Sequence, residues 1–211
     1  FGLVADLSYH NPYMSPFDEM QRLKTHPVIK NVLEGGKRIS YGARALTKGG
    51  LNSLPKFTFP GGVLVGDDAG FLNPAKIKGT HTSMKSGMLA AEAIFEALQA
   101  DRQHDEVVAY STMYKESWLY QDNYESRNFS PAMHRMGQFM GGAFIFIEHN
   151  LLKGKMPLTI HDNTPDYDQL ERANHAYQPT YLKPDGKLVF DKLSSVFISN
   201  TNHAEDQPTH L

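Results

Sequence analysis

FTFPGGVLVGDDAGFLNPAKIKGTHTSMKSGMLAA, residues 57–91, carries more structural information than any other stretch of this 211-residue chain. Phe57–Phe59 and Gly62–Val65 predict short strands joined by Pro60-Gly61, and a tight turn carrying Asp67 follows. A loop then leads into a helix from Gly79 to about Ala100. Along that helix Met84, Met88, Ala91, Phe95 and Leu98 recur at helical spacing, which predicts a stripe facing the core. The small residues Ser83, Ser86, Gly87, Ala90 and Ala91 permit close approach to a sheet. The fold class this pattern predicts is α+β.

The same residues suit one kind of chemistry. A strand ending in Gly66-Asp67, followed by a glycine-opened helix, suits the sugar chain and ring edge of FAD. Asp67 would accept hydrogen bonds from ribityl and ribose hydroxyls. The first turn, Gly79-Thr80-His81-Thr82, would aim unpaired N–H groups and the positive end of the helix dipole at the flavin ring. Gly-Asp-x-Ala-Gly equally suits a plain turn that Asp67 ties down. Lys76 and Lys78 flank the helix start, either as cations favouring an anionic reduced flavin or as solvated side chains. No Gly-x-Gly-x-x-Gly occurs, so the turn that would hold the FAD pyrophosphate is not in this sequence. The chain alone is expected to retain little FAD.

Outward from this stretch, Phe1–Leu7 reads as a strand. Asn11-Pro12 and Ser15-Pro16 mark a turn into a helix over Phe17–Lys24, and Pro27 opens another that Gly35-Gly36 ends. Lys37–Ala45 is a further strand candidate, and Lys48-Gly49-Gly50 a turn. Asp105 or Glu106 starts a helix running through Val107, Tyr110, Tyr114 and Trp118. Beyond Leu152 the chain is loop-rich.

Composition removes several function classes. Net charge is −2, from 21 basic and 23 acidic residues with no like-charge block, so nothing favours nucleic-acid binding. There is no cysteine, hence neither a disulfide nor a thiolate ligand for an iron–sulfur cluster in this chain. His203, Glu205, Asp206 and His210 cluster near one end, but their spacing matches no zinc motif, and no metal site is expected. No Ser–His–Asp or paired-carboxylate arrangement supports a hydrolase.

Phe129–Lys155, FSPAMHRMGQFMGGAFIFIEHNLLKGK, is the most apolar segment. Its uninterrupted apolar run, Phe139–Ile147, is far shorter than the ~20 residues a helix needs to cross a bilayer. Two readings stay open: a buried core helix, or a helix lying in a membrane interface. Phe139, Phe144, Ile145, Phe146, Ile147, Leu151 and Leu152 would supply the apolar side, with His134, Arg135, Lys153 and Lys155 at its ends.

GKRISYGARALTKGG (36–50), NPAKIKGTHTSMKSGMLAAEAIFEAL (73–98), KPDGKLVFDKLSSV (183–196) and TNHAEDQPTHL (201–211) together resemble the electron-transfer flavoprotein–ubiquinone oxidoreductase family. The resemblance implies part of a glutathione-reductase-like FAD domain interleaved with a sheet-containing quinone-binding domain. It also implies electron transfer from reduced electron-transfer flavoprotein to ubiquinone in the respiratory chain, through FAD and a [4Fe–4S] cluster. The expected segments are 1–56 on the quinone side, 57–133 closing the FAD domain, 134–190 for quinone and membrane, and 191–211 leading into the iron–sulfur domain. A fragment, inactive by itself, is expected.

By the same resemblance Gly66, Asp67, Gly79, Thr80 and His81 contact FAD, with Thr80 able to bond the ring. From position alone, Tyr9 and His10, between a strand and a helix, and Tyr41-Gly42, where backbone could approach a ligand closely, are quinone-side candidates for a greasy tunnel with a few polar groups. Turn chemistry or packing is the plainer reading of each. The family dips a helix into one leaflet at Phe139–Leu152, which favours the membrane reading. A peripheral, monotopic location on the bacterial or mitochondrial inner membrane is then expected. Asp67-Asp68 departs from the Cys-Ser that other members can carry. A related FAD-dependent reductase or monooxygenase, or a non-catalytic membrane-adhering module without cofactor, are the alternatives.

Overall fold

The computed structural model describes residues 1–202 and 204–206. In chain order the elements are α1 (Pro16–Lys24), α2 (Pro27–Leu33), β1 (Thr58–Phe59), β2 (Gly62–Val63), α3 (Thr80–Gln99), α4 (Val108–Glu116), α5 (Trp118–Glu125), α6 (Phe129–Asn150) and α7 (Lys192–Phe197), with short 3-10 turns between some of them. The chain forms two compact units: one joins residues 1–44 to 164–211, and the other is residues 45–163. This is a division by packing, whereas the segments expected above are divisions of function.

In the first unit, Pro16 sits at the start of α1 and the Ser15 hydroxyl accepts from the Asp18 amide, a conventional proline-plus-cap beginning. Acidic Asp18 and Glu19 lie in the first turn and basic Arg22 and Lys24 in the last, complementing the helix dipole. The later segment returns to this helix. Gln21 Oε1 accepts from the Phe190 amide at 3.0 Å and from Lys24 Nζ at 2.7 Å. Arg38 stacks 3.9 Å from the Phe190 ring centroid and donates to the Ser195 hydroxyl at 2.8 Å. Burial, and then the Arg38 charge, lower the pKa of Lys24.

Asp185 closes a tight loop in the same unit by accepting the amides of Lys187, Leu188 and Val189 at 2.8–2.9 Å. These three bonds hold its carboxyl down at about 2. The stability this group contributes is therefore complete above its unfolded pKa near ~4 and is lost as pH falls through about 2. The amide resonances of Lys187, Leu188 and Val189 are expected to shift together with that midpoint, and Asp185→Asn should abolish the transition.

Phe1–Leu7 and Lys37–Ala45, expected as strands, form none. Most of their apolar side chains, among them Phe1, Val4, Leu7 and Ile39, are exposed. A strand exists only where a partner completes its ladder, and among the described residues neither segment has one. The only sheet among the described residues is the hairpin β1–β2, paired antiparallel as Thr58↔Val63 and Phe59↔Gly62 around Pro60-Gly61. It is shorter than the sequence pattern predicted.

The second unit is built on aromatic packing. Phe57, Phe71, Tyr110 and Tyr114 meet edge-on or tilted at centroid distances of 5.1–5.4 Å. Burial pushes both tyrosine hydroxyls up to about 12. Against this cluster α3 lays Leu89, Ala90, Ala93 and Ala97, with Thr82 and Ser86 buried on the same side. The expected stripe is on the other side. Met84, Met88, Phe95 and Leu98 are exposed, lying about 175° around the helix from the buried set at 100° per residue. Both faces satisfy helical spacing, and the narrow one won because alanine and serine let bulky rings from α4 come close.

One long helix was expected through Trp118, but Ser117 divides it. Its backbone is extended (φ −87°, ψ 160°), and its hydroxyl donates to the Tyr114 carbonyl at 2.7 Å, so the helix ends and α5 begins. Another interruption lies inside α6. Gly137 has φ 71° and ψ −179°, a conformation open essentially to glycine alone. The chain turns there so sharply that a Cβ on Gly141 would lie 2.7 Å from the Ala132 carbonyl oxygen. In a straight helix those two residues would stand about 13 Å apart along the axis.

Candidate flavin site and membrane face

Gly66 opens a 3-10 turn, Gly66–Ala69, with φ 69°. Its amide donates to the Ser86 hydroxyl at 2.9 Å, and a Cβ at this position would meet Ser83. The turn is thus seated against the first two turns of α3, and Asp67 follows with its side chain exposed. Gly79 is the N-cap of α3 and supplies no side-chain cap, so the first-turn amides of the helix are left open. Thr80 is exposed beside them. Gly66, Asp67, Gly79, Thr80 and His81 are therefore brought to one end of one helix. Thr82 is different. It is fully buried, and its hydroxyl is engaged with the Gly79 and Phe71 carbonyls, so it braces the turn.

His81 is held rather than free. Its ring stacks parallel to that of Trp118, with centroids 5.9 Å apart, and its Nε2 lies 3.6 Å from Asp122 Oδ2. Asp122 also accepts from Lys76 Nζ at 2.5 Å and from Asn73 Nδ2 at 2.8 Å. Burial raises the Asp122 pKa, but Lys76, Asn73 and His81 outweigh it and hold the carboxyl below its ordinary value. Lys76, read from sequence as either a flavin-facing cation or a solvated one, is a paired cation. Nothing in the sequence singled out Asp122, which stands 46 residues from Lys76. Its one signal was helical register: Trp118 and Asp122 occupy one face of α5.

Of the expected quinone-side residues, His10 and Tyr41 take separate partners, and Tyr9 is half-buried. His10 Nδ1 bonds the Gln169 carbonyl at 2.8 Å, its own carbonyl accepts from the Glu171 amide, and Tyr41 packs edge-on against Phe17. Gly42 is exposed. An open groove of about 380 Å³ in this unit is lined instead by Leu3, Glu19, Arg22, Leu23, Thr25 and His26. His203 and His210, which the weighed metal reading involved, lie outside the described residues. Among the described residues no group of three His, Asp or Glu side chains could hold a metal ion.

The second half of α6 presents an apolar band to solvent. Phe139, Met140, Phe146, Ile147 and Leu151 are exposed, Phe139 to 91%. Gly141 and Glu148 face inward, and Phe144 and Ile145 are half-buried, so these last two contribute less to the outer face than expected. Arg135, Lys153 and Lys155 are exposed near its two ends. The second half of α6 is thus amphipathic, with an apolar outer face bordered by cations. Among the described residues no helix is long and apolar enough to cross a membrane.

Residues 1–46 match the family model described as "ETF-QO, ubiquinone-binding", and residues 186–211 match that described as "Electron transfer flavoprotein-ubiquinone oxidoreductase, 4Fe-4S". Over all 211 residues the chain is 63% identical to the electron transfer flavoprotein-ubiquinone oxidoreductase of Pseudomonas aeruginosa. This chain belongs to that family. It is also 57% identical to the probable enzyme of that name from Acinetobacter baylyi and 48% identical to the mitochondrial human one. The whole chain aligns in each case, and it spans 38%, 40% and 35% of those relatives. The ubiquinone-binding match ends close to Arg44, where the first compact segment also ends. The iron–sulfur match falls on a stretch without cysteine, so any thiolate ligands lie outside this sequence.

Proposed function

We propose that this chain supplies part of the flavin site and the membrane face of an enzyme that passes electrons from reduced electron-transfer flavoprotein to ubiquinone. The observation that carries the reading is the exposed Asp67 carboxylate, seated by Gly66 and Ser86 beside the uncapped start of α3. FAD, when bound, accepts and passes on the electrons. Asp67 would hold hydroxyls of its sugar chain, and the open amides of Thr80 and His81 would meet the ring edge where negative charge collects. The residues present fit that group: an acceptor, open donors, and a turn braced by buried Thr82 and Ser86. The unit formed by residues 45–163 would then belong to a glutathione-reductase-like FAD domain, with residues 1–46 on the ubiquinone side. The exposed band of α6 would rest in one leaflet of the respiratory membrane.

Asp67→Ala in the full-length enzyme should lower FAD occupancy, because a hydrogen bond to a charged acceptor is worth about 1.5–3 kcal/mol. The expected weakening is about tenfold or more in FAD affinity, read from flavin retained after dialysis. Unchanged occupancy together with unchanged flavin potential would make Asp67 a turn residue only.

A further inference from the structure

We propose that Asp122 is a positioning residue for the flavin site: its carboxylate ties the 73–78 loop and the first turn of α3 to α5, and it cancels the charge of Lys76 beside that helix start. The inference rests on the flavin reading above and concerns a residue to which that reading assigns no part. Three groups from two other elements converge on Asp122, whose side chain is only 16% exposed: Lys76 and Asn73 from the loop, and His81 from α3. Asn73 is itself buried. Its Oδ1 accepts the amides of Ala75 and Lys76 at 3.1 and 3.0 Å, and its backbone pairs with Lys78 across the loop. A displacement of Asp122 is thereby transmitted to Gly79 and Thr80 through both ends of the loop.

The charge argument has a sign. Lys76 stands three residues before Gly79, at the positive end of the α3 dipole. With Asp122 in place, the pair adds little net charge there. Without the carboxylate, the Lys76 ammonium would act alone and favour the reduced, more negative form of the ring. With only the lysine removed, Asp122 would disfavour that form.

The test uses the FAD-loaded, full-length enzyme and reads the flavin midpoint potential beside the melting temperature. Asp122→Asn keeps the shape and removes the charge. It is expected to raise the potential, changing the oxidised-to-reduced ratio at a fixed solution potential about tenfold, or about 30 mV for a two-electron couple. Lys76→Met, at a half-exposed position that folding should tolerate, is expected to lower the potential by a similar factor. The double variant should return towards the parent value. A purely structural Asp122 would lower the melting temperature with no opposed shifts in potential, and that result overturns the proposal. Asp67→Ala and Thr80→Val separate the two levels of inference. If those two move flavin occupancy or potential while Asp122→Asn and Lys76→Met do not, the positioning role fails alone. If none of the four does, the flavin reading fails with it.

Discussion

Replacing Phe139 and Phe146 by serine is expected to move the full-length protein from the membrane pellet to the supernatant while its melting temperature stays nearly unchanged. Both rings are exposed on the second half of α6, on one face with Ile147 and Leu151. Fully burying a phenylalanine is worth about 1.5–3 kcal/mol, so losing two costs the lipid-bound state about 3–6 kcal/mol. That is roughly a hundredfold to ten-thousandfold in partitioning. Within this chain the rings have few protein neighbours to give up, so its fold loses little. Phe144→Ser is the contrasting variant. Phe144 is half-buried, so its loss should lower stability more than lipid binding. Liposome co-sedimentation read beside thermal melting distinguishes the two patterns. Lipid binding that survives the Phe139 and Phe146 changes would remove α6 from the membrane account.

The sequence-based reading held where a local device sets the structure. Proline at the first helical position opened α1 and α2, Pro60-Gly61 turned the hairpin, and glycine preceded α3. Each of these works through its own φ angle or its missing donor, although the hairpin turn is also tied to a distant segment by the Gly61 amide donating to the Asp105 carbonyl. The face of α3 was not legible. The Met84-to-Leu98 row and the Thr82-to-Ala97 row both recur with helical period, and the choice between them is made by the aromatic cluster of Phe57, Phe71, Tyr110 and Tyr114. The unpaired Phe1–Leu7 and Lys37–Ala45 segments failed for a related reason, since β-propensity cannot create a partner strand.

The candidate site divides in the same way. Gly66, Asp67, Gly79 and Thr80 are close in sequence and were found as a group. Asp122 and Trp118 reach the site from another helix, and no spacing rule connects them to it. Arg127 is the clearest omission. Nothing in its sequence surroundings marks it, yet it is almost completely buried.

Arg127→Met is expected to cost the second unit about 3–5 kcal/mol, two or more buried acceptors losing their donor, seen as a large fall in the urea midpoint. The guanidinium donates to the carbonyls of Tyr124, Gly154, Met156 and Leu158 and to the Thr159 hydroxyl, and it stacks 3.8 Å from the Tyr124 ring centroid. One planar, five-donor group thus pins the loop that follows α6 to the end of α5. Methionine keeps much of the volume and removes every donor, leaving several carbonyls inside the protein at about 1–3 kcal/mol each wherever water cannot reach them. Asn128 works beside it, accepting the Ile160 amide at 2.8 Å and donating to the Leu158 carbonyl at 2.9 Å, so the loop keeps one anchor. The damage should therefore begin at Gly154–Thr159, as faster hydrogen exchange there well below the global transition. Arg127→Lys should recover only part of the loss, because an ammonium can neither stack on Tyr124 as a plane nor serve five acceptors. A lysine variant as stable as the parent would show that charge alone, and not the shape of the guanidinium, holds this loop in place.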